Sequence, residues 1–135
     1  MSPDDGALLN RFERHAIPRA EWTHAMHLRI GWCAIERDGL DAAVAFMRDG
    51  VRALNVANGV ANTPDAGYHE TITIAWLRLI DHARREAPAP TSALFLERHP
   101  ELTRRDALQS HYSRERLMGR EARREWVEPD VRALP

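Results

Sequence analysis

Apolar residues recur at the helical period along most of this chain, and no run alternates apolar and polar for more than a few residues. That pattern leaves no room for a sheet and predicts packed helices. The first periodic stretch is "SPDDGALLNRFERH", with Ser2 as N-cap, Pro3 at the first helical position and Asp4 and Asp5 in the first turn. "AIPRAEW" interrupts it. Thr23 caps a second helix that ends near Asp38 and Gly39. Asp41 is placed to cap a third, "AAVAFMRDGVRALNVAN", stopping at Gly59. After the loop "VANTPDAG" comes a fourth, "YHETITIAWLRLIDHARRE". Pro88 and Pro90 forbid helix in "APAPTS". The later pieces are short: "SALFLERH", then "TRRDALQSHYS" with a capping-box spacing from Thr103 to Asp106, then "SRERLM" and "REARREW". The expected fold is all-α, a single-domain bundle over residues 1–135 with four main helices and short C-terminal helices. The tail "WVEPDVRALP" should dock on it, because Trp126, Val127, Val131 and Leu134 gain nothing when free.

Composition narrows the function classes. The 135 residues suit one domain with a real core. A net charge of -1 argues against nucleic acid or an anionic membrane as partner. The single cysteine, Cys33, excludes an internal disulfide and fits a reducing compartment. With no signal peptide and no apolar run of spanning length, the expected location is the cytoplasm. Arginine and alanine without any lysine point to a GC-rich bacterial genome.

The chemistry-bearing residues are histidines. In the second helix, His24 and His27 fall on the inward face around Gly31, opposite Ala25, Arg29 and Glu36. In the fourth, His69 lies opposite Arg78, on the inward side of the first turn. Alternate helices of an up-down bundle run parallel, so the three imidazoles should meet at one end. Neutral imidazoles are common transition-metal ligands, and three with an open position suit a catalytic centre. Zinc, iron, nickel and copper are all compatible. Without a metal, the histidines can serve as general base and acid, oriented by Glu70, Tyr68 or Thr73. Trp76 is placed as an apolar floor to the pocket. Glu70 and Tyr68 are the candidate catalytic groups beside the histidines.

Other features read as structure. Cys33 is a packed thiol, His82 lies on an exposed stripe, and Arg48 and Arg52 share an outward stripe with Asp41 and Asn55. His111 beside Tyr112 is a weaker candidate to finish a pocket. Glu21 and His24 form one E-x-x-H, and a di-iron bundle needs two. No phosphate-cradling glycine loop, G-x-S-x-G or H-E-x-x-H occurs.

The bundle plan with His24, His27 and His69 resembles the DinB-like metalloprotein superfamily. That resemblance implies one divalent metal held by the three histidines, with a position left open for substrate. "YHETITIAWL" and the tail also resemble short bacterial proteins of unassigned function. The expectation is therefore a small enzyme with a histidine-lined site at the bundle end. It would bind a divalent metal and act on a small molecule by hydrolysis, proton transfer or dehydration. The alternatives are a metal-free histidine acid–base enzyme, or a non-catalytic ligand- or partner-binding module with structural histidines. Trp126 and the apolar stripe of the third helix offer a seam for a homodimer.

Overall fold

The computed structural model describes all residues, 1–135, and is all-helical. Its α-helices are α1 (Pro3–Glu13), α2 (His24–Asp38), α3 (Leu40–Ala57), α4 (Glu70–Glu86), α5 (Ser92–Arg98), α6 (Arg114–Leu117) and α7 (Arg120–Arg124). Short 3-10 turns occupy Arg19–Glu21, Pro100–Thr103 and Arg105–Ser110. No helix is long and apolar enough to cross a membrane.

The four main helices begin where local chemistry dictates. Ser2 accepts from the Asp5 amide while Asp5 returns a bond to the Ser2 amide, a reciprocal cap with Pro3 just inside. Thr23 caps α2 through the Met26 amide. Two starts differ from expectation. α3 begins at Leu40, with Gly39 at φ 84° as the hinge from α2, so Asp41 sits in the first turn and caps nothing. α4 begins at Glu70, because His69 is itself the N-cap. Thr103 does not start an α-helix either; its hydroxyl donates back to the Pro100 carbonyl within a 3-10 turn.

α2 is the central element. It packs on α1, α3, α4 and α5, and its residues from Ile30 to Ile35 are all buried. Leu8, Leu9 and Phe12 of α1 complete that core with Met47 and Leu54 of α3, Leu77 and Ile80 of α4, and Phe95 of α5. Gly31 is explained by this crossing. A Cβ there would sit 3.1 Å from both Ile80 Cδ1 and Leu77 Cδ2, so the glycine lets α4 approach α2 closely.

A second, smaller core joins α4 to the C-terminal segment through Ala75, Leu108, Tyr112, Leu117, Ala122 and Val127. The tail docks here. The Tyr112 hydroxyl donates to the Val127 carbonyl at 2.7 Å, and the Val127 amide donates to Thr71 Oγ1 at 3.1 Å. Val127 is buried and Trp126 and Leu134 are partly so, whereas Val131 remains exposed.

Asp5, expected only as a first-turn acid, is buried and ties α1 to α5. It accepts from the Ser92 amide and hydroxyl, and Arg29 Nε donates to Ser92 Oγ at 2.8 Å. Burial alone would raise its pKa; the hydrogen bonds from Ser92 and Ser2 outweigh that and hold it below the usual carboxylate range.

Candidate functional site

The starts of α2 and α4 meet at one end of the bundle around a cavity of about 470 Å³. That lies within the range of about 300–1,000 Å³ common for small-molecule sites. His24, His27 and His69 all line it, as the helical phase predicted. Trp22 and Trp76 form aromatic walls, Met47 and Val51 of α3 and Leu77 and Ile80 of α4 add apolar surface, and Arg105 and Arg123 complete the lining. The two arginines are not identifiable from sequence, since they sit in charged runs that look like solvated faces.

Each imidazole is held in a defined tautomer, because a backbone carbonyl only accepts hydrogen bonds. His24 Nε2 lies 2.9 Å from the Leu102 carbonyl, so Nε2 carries the proton and Nδ1 keeps its lone pair. Its ring meets Trp76 edge-on at 4.6 Å between centroids. His27 Nδ1 lies 2.8 Å from the Thr23 carbonyl one turn back, so its free lone pair is on Nε2. Trp22 packs on the His27 ring with centroids 3.8 Å apart. Desolvation lowers the His27 pKa to about 4, with the nearby His24 and Arg105 adding to the effect, so the ring is neutral at ordinary pH.

His69 has a different job. Its Nδ1 accepts the Ile72 amide at 3.1 Å, capping α4, and its Nε2–H donates to the Leu117 carbonyl at 2.7 Å. Both nitrogens are occupied. Burial, helped by the Arg123 charge, pushes its pKa down and keeps it neutral, which the capping bond requires.

This decides how well the residues fit a metal. A three-histidine centre needs three free lone pairs converging at about 2 Å from one point. His69 offers none, and no group of three or more His, Cys, Asp or Glu side chains is arranged to hold a metal ion. The donor set does not fit a three-ligand centre.

Tyr68 and Glu70 brace one another. The Tyr68 hydroxyl donates to Glu70 Oε1 at 2.6 Å, and Arg48 clamps the same carboxylate through Nε at 3.0 Å and Nη2 at 2.7 Å. Burial and the Glu70 hydrogen bond push the Tyr68 phenol well up, so it stays protonated. Burial opposes ionisation of Glu70, but the bonds from Arg48 and Tyr68 prevail and hold its pKa down. Tyr68 lines the cavity; Glu70 does not. Arg48 is therefore an inter-helix clamp from α3 to α4 and not part of a solvated stripe, and Asn55 lines the cavity.

The remaining candidates lie elsewhere. His111 Nδ1 faces the Arg132 and Ala133 carbonyls and pins the tail, while Tyr112 holds Val127. His82 is exposed. Glu21 pairs with Arg11 at 2.8 Å. Cys33 is fully buried, and desolvation together with Asp5 raises its thiol to about 12, which removes it as a nucleophile. Compared with known proteins, the chain matches no family model, no curated protein and no solved structure.

Proposed function

We propose that the bundle-end cavity is a binding site for a small organic molecule, contacted by His24 and His27 as neutral imidazoles without a metal. One observation carries this. Both rings border the same cavity, and each has one nitrogen fixed as donor to a carbonyl and the other left with its lone pair. Such a pair reads hydrogen-bond donors on a ligand, while Trp22 and Trp76 offer it apolar contact. With a conjugate-acid pKa near 4, His27 is a weak base and serves as a hydrogen-bond acceptor. In this assignment His69, Tyr68 and Glu70 hold the walls in place.

Long-range proton–nitrogen spectra of the imidazoles, together with elemental analysis of protein purified without a histidine tag, test the proposal. The expected result is an Nε2–H tautomer at His24 and His69, an Nδ1–H tautomer at His27, and no stoichiometric metal. Added indole, a neutral flat probe, should shift the unprotonated nitrogens of His24 and His27 and leave His69 in place. One equivalent of a divalent metal, or indole binding that bypasses both rings, overturns the proposal.

A further inference from the structure

We propose that the ligand of this cavity is an organic anion, with an apolar body against Trp22 and Trp76 and a carboxylate drawn to the guanidinium groups of Arg105 and Arg123. The inference rests on the small-molecule assignment above and adds the charge of the ligand.

The lining contains two cations and no carboxylate. The acids that adjoin lining residues Tyr68, His69 and Trp22 in sequence are committed elsewhere: Glu70 to Arg48 and Tyr68, and Glu21 to Arg11. Neither Arg105 nor Arg123 has an ion-pair partner, so no acid compensates either charge where it borders the cavity. Arg105 makes no side-chain hydrogen bond at all. Arg123 uses Nη1 on the Gly67 and Tyr68 carbonyls and keeps Nε and Nη2 to offer. The cavity histidines cannot neutralise this charge, since an imidazole is either neutral or positive. Two further sources have the same sign, for α2 and α4 both begin at the cavity and direct their positive ends toward it. Two guanidiniums in a lining with apolar walls and no carboxylate favour an anion over a neutral molecule of equal shape and reject a cation. At about 30 Å³ per water, the volume accommodates on the order of fifteen waters, which suits a bicyclic carboxylate.

The test compares three probes of one shape by calorimetric titration at low salt: 2-naphthoate, 2-naphthamide and 2-naphthylmethylamine. The expected order is naphthoate about tenfold tighter than the amide, with the amine weakest. Replacing both cations, Arg105→Gln with Arg123→Gln, should abolish the preference and bring the naphthoate to the affinity of the amide in the same variant. The single Arg105→Gln variant changes an exposed side chain and guards against a loosened fold, and it should lose part of the preference on its own. Equal affinity of acid and amide, a preference that survives the double replacement, or tightest binding of the amine overturns the anionic assignment while the small-molecule site stands. Failure of all three probes, and of indole, to bind overturns the site itself.

Discussion

Replacing His69 with alanine separates a structural imidazole from a chemical one. The substitution removes two hydrogen bonds of known geometry. Loss of the α4 cap, in which Nδ1 accepts the Ile72 amide at 3.1 Å, costs about 1 kcal/mol. Loss of the Nε2–H donor leaves the Leu117 carbonyl, previously bound at 2.7 Å in a buried setting, without a partner, at about 1–3 kcal/mol. The sum is about 2–4 kcal/mol. At roughly 4 °C per kcal/mol for a domain of this size, the melting temperature should fall by about 8–16 °C. His69→Asn keeps a good capping side chain but cannot span to Leu117, so it should recover about 1 kcal/mol of the loss. Urea unfolding followed by circular dichroism at pH 7.5 gives both numbers. Amide exchange adds a local readout, because α6, which ends at Leu117, should lose protection in both variants. A loss under about 1 kcal/mol for the alanine variant, with α6 protection intact, would refute the assigned role.

Acidification should destabilise the fold through His27 and His69. Both are held below the unfolded value of 6.5, so the unfolded chain binds more protons between that value and the folded one; stability is complete above about pH 6.5 and falls as pH drops toward 4. His27 accounts for at most about 3 kcal/mol of this, less what its partial exposure screens, and urea midpoints from pH 7.5 to 4.5 should flatten in His27→Gln. Deleting residues 126–135 removes the Val127 side chain and its bonds with Tyr112 and Thr71, and scanning calorimetry should record a melt lower by several degrees; an unchanged melt means that the tail contributes nothing. Cys33, buried with its thiol near pKa 12, should react with a disulfide reagent only as fast as the protein unfolds, and rapid labelling of the native protein at pH 8 contradicts its packing.

Local rules carried the sequence a long way here. Helical period put His24, His27 and His69 on inward faces, alternate-helix parallelism put them at one end, and all three line one cavity. Gly31, at the centre of the inward face of α2, sits at the α2–α4 crossing. What period cannot show is where a ring nitrogen's hydrogen bond goes. The partners of His24 and His69 are carbonyls of Leu102 and Leu117, 78 and 48 residues away in sequence. Those partners fix each tautomer and remove His69 from the ligand set. The same distance hid Ser92 as the partner of Asp5, and Gly50, whose missing Cβ leaves room for the Phe12 ring. Arg105 and Arg123 were invisible for another reason. A charged residue in a charged run shows its place in a cavity lining only once the chain is folded, and that is a property of three-dimensional structure alone.

The two long hydrogen bonds from His24 and His69 also order events in time. α1 to α4 have local, mutually packed cores and can associate early, since closing short loops is fast. Before residues 102 and 117 arrive, Nε2 of His24 and of His69 has no carbonyl to donate to, and the His24 ring has no hydrogen bond to set its tautomer. The segment from Pro100 onward therefore supplies the carbonyl that sets the proton position of His24 and the second of the two bonds that set that of His69, while His27 has the Thr23 carbonyl within its own helix start. During synthesis, the lining of this cavity is complete only when that last segment has folded back and brought Arg105 and Arg123 to it.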